Sequence, residues 1–266
     1  MSSILLDFGP IKIYWYSVCI LIAMLSGMIV VLKEIKKQNI GIDAFVDFAV
    51  YTIICAIIGA RVYYVAFEWE YYSKNIIEIF EVWNGGLAIH GGIIGGFLYT
   101  LIYTKRHKIE TLRITDICCV GLILGQAIGR WGNFFNHEAF GPIIEREALE
   151  GFFIPKFIID GMFIRGSFHQ PTFLYESLWN IIGFIILIFY RKRRYLKVGE
   201  LTGLYLMWYS VGRFFIEALR QDSLMIFDFK VAQIVSIVLF IVGLVLFLFR
   251  KIKSSRFDYL YHKDLD

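Results

Sequence analysis

Long apolar runs alternate with short polar segments along the whole chain. A helix needs about 20 mostly apolar residues to cross the hydrocarbon core of a bilayer. Seven runs approach that length, and we expect each to form a membrane-spanning helix: 14–32, 44–66, 86–104, 114–129, 172–190, 200–219 and 231–249. The fourth run is short, so its helix should extend by a turn at either end. The pattern predicts an all-α polytopic membrane protein with one domain over residues 1–266.

The composition supports the membrane class. Hydrophobic residues make up 58% of the chain and charged residues 19%, whereas a soluble domain typically has about a quarter charged residues. All four cysteines lie within apolar runs, which argues against a disulfide framework or a zinc site. No basic segment precedes the first apolar run, so we interpret that run as a retained span and not as a signal peptide.

Lysine and arginine are concentrated in alternate connections between the runs. The segments KEIKKQ, KRHKIETLR, RKRRYLK and RKIKSSRFDYLYHK hold 17 of the 27 basic residues, whereas the amino terminus and the other three connections hold 8. Cytoplasmic loops are enriched in these residues. We therefore expect the amino terminus outside and the carboxyl terminus in the cytoplasm. Residues 68–84 and 220–230 then form two interfacial arms on the outer side, and residues 131–171 a small extracytoplasmic head between spans 4 and 5.

Given this orientation, most ionisable residues within the runs fall in the outer half of the membrane. They are Arg61, His90, Arg130, Glu176, Arg213 and Glu217. Only Asp47 and Asp116 lie in the inner half, where we interpret them as helix-start residues. Each ionisable residue costs about 2.5 to 3.5 kcal/mol on insertion scales and is by default a functional-site hypothesis. The distribution predicts a polar site that opens to the outer leaflet.

Each of these residues also has a structural interpretation. Arg213 and Glu217 are four residues apart and could form an intrahelical ion pair. Arg130 could reach lipid headgroups, and Glu176 could orient Tyr175 or a nearby arginine. His90 could be a packing histidine bonded to a carbonyl group. Their convergence on one leaflet favours a shared site.

Arg61 is expected to be a structural partner for one of the acidic residues. The segment GGLAIHGGIIGG, which surrounds His90, has too many glycines for an ordinary helix. Small residues allow close helix packing in membranes, which would explain the later pair, Gly95 and Gly96. We expect the two glycines directly after His90 to leave room for a ligand.

Two arginines at headgroup depth suit the binding of a phosphate group, because guanidinium groups bind phosphate oxygens bidentately. This pattern indicates a phospholipid substrate, and a neutral His90 could accept a proton. The sequence contains no HExxH, acidic metal cluster, GxSxG or P-loop motif. We expect no metal, no cofactor and no nucleic-acid partner.

The stretch GRWGNFFNHEAFG, residues 129–141, resembles the signature G-R-x-G/A-N-F-x-N-x-E-x-x-G of the bacterial prolipoprotein diacylglyceryl transferases. Every fixed position matches: Gly129, Arg130, Gly132, Asn133, Phe134, Asn136, Glu138 and Gly141. The similarity continues, in the family's order, through GGLAIHGG, HQPTFLYES and YSVGRFFIEALRQD. His137 occupies a variable position of the signature and is not expected to be catalytic.

The resemblance implies transfer of the diacylglyceryl group of phosphatidylglycerol to the lipobox cysteine of a preprolipoprotein signal peptide. A thioether forms and glycerol phosphate is released, as the first step of bacterial lipoprotein maturation. It further implies a multi-pass protein of the bacterial cytoplasmic membrane, in contact with membrane lipids, with seven spans, a head, arms and an active site facing the outer leaflet.

The resemblance and the orientation together define the candidate site residues. The catalytic candidates are His90, Arg130 and Arg213. The substrate-binding candidates are Arg130, Asn133, Asn136, Glu138, Gly141, Tyr16, Tyr209, His169, Glu176 and Glu217. The general base stays open between His90, Glu138 and no side chain at all, in which case the arginines would lower the thiol pKa.

Three other classes of protein remain as alternatives. A transporter would need polar residues on both sides of the midplane and often has repeated halves, and the sequence has neither. A phospholipid receptor would use the same arginines without chemistry. A different phosphatidylglycerol-dependent transferase would use another acceptor.

Overall fold

A computed structural model describes residues 4–9, 12–221, 225–253 and 260–262. Seven helices of at least 18 residues occur in these ranges: α1 Trp15–Lys37, α2 Ile42–Phe67, α4 Ile89–Arg106, α5 Thr111–Asn136, α8 Thr172–Arg191, α9 Glu200–Leu219 and α10 Val231–Lys253. Three short helices lie in the connections: α3 Trp69–Tyr72, α6 Arg146–Gly151 and α7 Lys156–Gly161. Two 3₁₀ turns, Ile76–Phe80 and Val82–Asn84, precede α4.

Short antiparallel strand pairs, which the sequence did not indicate, occupy the segment before α1 and two of the connections between helices. β1 Ile4–Asp7 pairs with β2 Lys12–Tyr14, with Asp7 opposite Lys12. β3 Phe163–Ile164 pairs with β4 Ser167–Phe168, and β5 Met225–Ile226 pairs with β6 Phe229–Lys230. The last pair lies in the predicted second arm, and Leu224 of that arm lies outside the described residues.

Five of the described helices are long and apolar enough to cross a membrane: α1, α2, α5, α8 and α10. Each of the seven predicted runs contains a helix, but α4 and α9 are not among these five. α4 is rich in glycine and ends in Lys105 and Arg106, and α9 contains Glu200, Arg213 and Glu217. The protein is a mostly helical, polytopic membrane protein.

The fourth predicted span extends well beyond its expected end. The apolar run stops at Gly129, whereas α5 continues to Asn136. Eight of the thirteen residues of the signature stretch are therefore helical, and the polar residues Arg130 and Asn133 lie on one helix within a turn of each other. The helix continues because the aromatic residues after Arg130 pack against the head, which begins only after Asn136.

Contacts between Cα atoms divide the chain into two compact units, residues 1–33 with 115–266, and residues 34–114. The sequence indicated one domain. In the first unit, α9 packs against both α8 and α10. Close glycine contacts support two of the helix pairs: Gly203 on α9 meets Gly243 on α10, and Gly27 on α1 meets Gly121 on α5.

Asp116 connects two helices of the first unit. Its carboxylate oxygens accept hydrogen bonds from the backbone N–H of Gly199 at 2.6 Å and of Thr202 at 2.7 Å. Both donors lie at the beginning of α9, where backbone N–H groups lack helical partners and the helix dipole favours negative charge. Asp116 was predicted to favour the start of its own helix, but it lies in the second turn of α5 and caps α9 instead.

The second unit is built on the packing of α2 against α4. A methyl group added at Gly91 would overlap the carbonyl oxygen of Gly59 and the side chain of Tyr63, and Gly95 lies equally close to Cys55. Gly91 therefore allows the two backbones to approach closely. The prediction that it leaves room for a ligand was wrong.

Arg61 holds the segment between α3 and α4 onto α2. Its guanidinium donates to the carbonyl groups of Ile79 and Gly85 at 2.9 Å each, and also to those of Glu78 and Gly86. The charge also lies 5.1 Å from the ring centre of Tyr72. Arg61 thus binds backbone carbonyl groups and an aromatic ring, and its expected pairing with an acidic side chain was wrong.

The head has a small hydrophobic core of its own. The core consists of Phe134, Ile158, Met162, Ile164 and Phe173. Two of these residues belong to the long helices α5 and α8, and the others come from the head segment. This core therefore fixes the head relative to the ends of the two helices that carry Arg130 and Glu176.

Candidate active site

Four charged side chains from α5, α8 and α9 form a continuous chain of ion pairs in the first unit. Arg130 Nη2 lies 2.6 Å from Glu176 Oε1, and Arg213 Nη1 lies 3.4 Å from Glu176 Oε2. Arg213 Nη2 also lies 2.7 Å from Glu217 Oε2, which confirms the predicted intrahelical pair. Glu176 and Glu217 are 5% and 3% exposed, and the arginine partners offset part of the cost of burying these two charges.

Arg130 is thus an ion-paired residue with 22% of its side chain exposed. The interpretation of Arg130 as a headgroup anchor without a protein partner does not fit this contact. Arg220 extends the chain of charges, because its Nε lies 4.0 Å from Glu217 Oε2. No role was predicted for Arg220, which follows directly on the last residue of α9 and lies three residues after Glu217.

Asn133 connects the ion pairs with Glu138. Arg130 Nη1 donates to Asn133 Oδ1 at 3.4 Å, and Asn133 Nδ2 donates to Glu138 Oε1 at 2.8 Å. An amide side chain is suited to this position because it offers an acceptor to the arginine and a donor to the carboxylate. The signature residues Arg130, Asn133 and Glu138 therefore form one hydrogen-bonded row.

An open cleft of about 390 Å³ lies beside this row and is lined by Tyr14, Tyr16, Ser17, Asn136 and Glu138. Three of these residues were predicted to bind substrate: Tyr16, Asn136 and Glu138. Gly132 allows the Tyr16 ring to lie close to α5, since a methyl group at this position would lie 2.8 Å from the ring. Ser17 was not predicted, because nothing in its sequence surroundings distinguishes it from the adjoining apolar run.

The backbone after α5 turns sharply, which brings Glu138 back toward Asn133. His137 and Ala139 both have left-handed φ angles, 52° and 58°, and Glu138 N–H donates to the Asn133 carbonyl at 3.1 Å. Partial burial lowers the pKa of His137 below its usual value. The imidazole is consequently neutral at pH 7 and adds no charge to the arginine cluster.

Tyr209 lies one turn before Arg213 on α9 and within electrostatic range of Glu176, Arg213 and Arg130. Its predicted place near the arginines is therefore supported. His169 and Gly141 have a different environment. The buried His169 ring has Nδ1 2.9 Å from the Gly141 carbonyl oxygen and packs on Phe140. This contact ties the start of α8 to the head, which indicates a structural role for both residues.

His90 belongs to the second unit, where it is the second residue of α4. Its side chain is exposed, and its ring centre lies 6.1 Å from that of Tyr63. An exposed imidazole near the beginning of a helix is accessible to a reacting group, in contrast to a packing histidine. Among the described residues, no three His, Cys, Asp or Glu side chains are grouped closely enough to hold a metal ion.

The fold and the site define an integral membrane protein in which one buried carboxylate joins two arginines, and a hydrogen-bonded row connects the first of them, Arg130, with Glu138 at an open cleft. Residues 3–249 match the family model of the prolipoprotein diacylglyceryl transferases. The chain belongs to this family of transferases.

Individual relatives support the assignment over nearly the full length. The chain is 48% identical over 254 residues to a phosphatidylglycerol–prolipoprotein diacylglyceryl transferase of Staphylococcus xylosus, covering 95% of this chain and 91% of the relative. It is 49% identical over 246 residues to the Staphylococcus haemolyticus protein of that name, covering 92% and 86%. The protein of that name from Halalkalibacterium halodurans is 46% identical over 255 residues, covering 96% and 88%.

Proposed function

We propose that this chain transfers the diacylglyceryl group of phosphatidylglycerol to the thiol of a lipobox cysteine in a preprolipoprotein. The observation that carries the proposal is the pairing of Arg130 and Arg213 through Glu176, next to the row of signature residues. Two guanidinium groups at one point provide the donors that a lipid phosphate requires.

The reaction is a substitution at an sp³ carbon of the glyceryl group. The cysteine thiolate forms a C–S bond to this carbon while the C–O bond to phosphate breaks. The electron pair of that bond leaves with glycerol phosphate, and the thiol proton passes to a base. Arg130 and Arg213 hold the phosphate and stabilise its additional negative charge as the bond breaks.

The base is His90 in this proposal, because its imidazole is exposed and imidazole groups commonly act as general bases. Glu138 is the alternative, since its carboxylate lines the cleft. Replacing His90 by Gln should lower turnover and change its pH profile, whereas Glu138→Gln should leave the pH profile in place. Full turnover by the His90→Gln variant would reject the assignment of His90 as base.

The proposed arrangement in the cell follows from the distribution of basic residues. All seven long helices cross the bacterial cytoplasmic membrane, with the amino terminus outside and the carboxyl terminus in the cytoplasm. The cleft and the arginines then face the outer leaflet. The exposed side chains of Trp69, Ile77, Phe80 and Trp83 suit an interfacial arm.

The decisive experiment uses the purified full-length protein with phosphatidylglycerol and a lipobox peptide. Mass spectrometry should detect a thioether-linked diacylglyceryl peptide, together with released glycerol phosphate. Arg130→Lys and Arg213→Lys should each lower kcat/KM by about 10²- to 10³-fold, because lysine lacks the planar, bidentate donor set.

The matched control is Arg146→Lys, which alters an exposed ion pair with Glu150 in the head and should leave kcat/KM nearly unchanged. A folded wild-type protein that binds the lipid without forming product would be a receptor. Lipid turnover without a peptide product would indicate a transferase with another acceptor. Either result overturns the proposed reaction.

A further inference from the structure

Glu176 occupies the position between the two arginines that the proposed function gives to the lipid phosphate. Its two carboxylate oxygens are divided between the two guanidinium groups, Oε1 toward Arg130 at 2.6 Å and Oε2 toward Arg213 at 3.4 Å. The side chain is only 5% exposed. Because the carboxylate bridges the arginines, it holds them at one site.

The two contacts made by Glu176 are close but imperfectly aligned. Oε1 lies near Arg130 Nη2 without hydrogen-bond geometry, and the contact to Arg213 is long for a charge-assisted hydrogen bond. Arg213 has a second carboxylate partner in Glu217, and Arg130 a second partner in Asn133. The arginines therefore remain held from their other sides when Glu176 withdraws.

A phosphodiester resembles the Glu176 carboxylate in its charge and in its two acceptor oxygens. Each group distributes a single negative charge over two equivalent oxygens, so a phosphodiester that replaces the carboxylate leaves the net charge at the arginines unchanged. Glycerol phosphate, the product, is a phosphate monoester with a charge of about −1.5 to −2 at pH 7. Arginines without a competing carboxylate would bind this product more tightly than the substrate.

We propose that Glu176 is an internal competitor of the lipid phosphate. Its carboxylate occupies Arg130 and Arg213 between turnovers, withdraws when the phosphodiester of the substrate binds, and returns as glycerol phosphate leaves. This inference rests on the proposed function. It makes Glu176 a positioning residue that lowers the apparent affinity for lipid in exchange for faster release of the product.

The sign of the effect on lipid affinity separates this role from a purely structural one. Apparent affinity falls in proportion to the fraction of protein whose site is free to bind. If the carboxylate occupies the arginines about nine-tenths of the time, removing it should tighten binding about tenfold. If Glu176 instead only orients the arginines while phosphate binds elsewhere, removing it should weaken binding.

The test compares wild-type protein with Glu176→Gln in the thioether assay. For the variant we expect the KM for phosphatidylglycerol to be about tenfold lower than for wild type. The inhibition constant for glycerol phosphate should fall by at least the same factor. The kcat should also fall, because release of the product then limits turnover. Glycerol phosphate should also raise the Tm of the variant more than that of wild type, a readout that needs no turnover. A KM or an inhibition constant that is unchanged or raised overturns the inference.

Two further variants keep the result interpretable. Glu150→Gln removes a carboxylate from an exposed pair with Arg146 in the head and should change neither constant. Glu176→Asp keeps the charge but shortens the side chain, so that it reaches one guanidinium group, and should lower both constants by an intermediate factor. If Glu176→Gln fails to fold, a raised KM in Glu176→Asp alone overturns the inference. Absence of thioether product with wild type would instead refute the proposed function.

Discussion

At the scale of single residues, the signature stretch separates into groups with different tasks. Arg130, Asn133 and Glu138 form a polar row that leads from the ion pairs to the open cleft. Phe134 points into the head core, where Gly161 lies directly against its ring. Gly132 makes room for Tyr16. The signature stretch therefore combines residues of the polar row, a residue of the head core, and a glycine that allows Tyr16 to lie close to α5.

We expect Asn133→Asp to impair activity and a compensating change to restore it. The new carboxylate would replace the amide donor at the present 2.8 Å contact with Glu138, so the hydrogen bond would be lost and two like charges would face each other. Turnover should fall at least tenfold. In Asn133→Asp/Glu138→Gln the donor and acceptor are exchanged and the net charge is that of wild type, so much of the activity should return. A double variant no better than Asn133→Asp would show that this contact is unimportant.

His137 gives a prediction about pH. Its folded-state pKa lies below the value of about 6.5 expected in the unfolded chain, so the unfolded state binds more protons as the pH falls through this range. The residue therefore destabilises the fold below about pH 6.5 and has no effect well above it. Asparagine tolerates the left-handed backbone at this position. The Tm of His137→Asn minus that of wild type should be larger at pH 5 than at pH 8, and an equal difference at both pH values would contradict this.

An ion pair within one helix was easier to predict from the sequence than ion pairs between helices. Arg213 and Glu217 were recognised as a pair because four residues separate them on one helix. The pairs made by Glu176 join three different helices, and the bonds from Arg61 go to backbone carbonyl groups. Every residue has a backbone carbonyl group, so the sequence does not show which of them accepts a hydrogen bond. Contacts between helices depend on how the helices pack, which cannot be read from a single sequence.

At the scale of secondary-structure elements, hydropathy located every long helix but ended α1, α5 and α10 several residues too early, with the largest difference at α5. Hydropathy records the apolar length of a helix, and α5 continues past that length because Trp131 and Phe135 pack against the head core. The strand pairs were missed because each strand has only two to four residues, too few for a period of two to be recognised.

Neighbouring glycines on α4 should respond oppositely to substitution. A methyl group at Gly91 overlaps the backbone of Gly59 and should destabilise the protein by about 1–3 kcal/mol. A methyl group at Gly92 meets only ordinary contacts, the nearest being the Ala56 carbonyl oxygen at 3.5 Å, and should stabilise by up to about 1 kcal/mol through helix propensity. Thermal unfolding of Gly91→Ala and Gly92→Ala in one detergent measures both effects. Equal shifts in Tm would argue against close packing of α2 on α4.

At the scale of the whole molecule, the proposed orientation places the head outside and the connection between α8 and α9 in the cytoplasm. The exposed residues Glu147 and Arg194 represent these two regions. A membrane-impermeant maleimide added to intact cells should label Glu147→Cys and not Arg194→Cys, and permeabilised cells should show labelling of both. Wild-type protein, whose four cysteines lie within long helices, is the background control. Labelling of Arg194→Cys in intact cells would reverse the orientation.

The charges that form the candidate site also affect how the protein is made. α9 carries Arg213 and Glu217 and is not among the five helices that are apolar enough to cross a membrane. It nevertheless packs along α10, the most apolar of the five. We therefore expect α9 to partition poorly into the bilayer when it leaves the translocon alone, and efficiently as a helical hairpin with α10. Glycosylation mapping of the two segments, separately and joined, measures this difference. Biogenesis of the carboxyl-terminal half would then be completed only once the last helix has been synthesised.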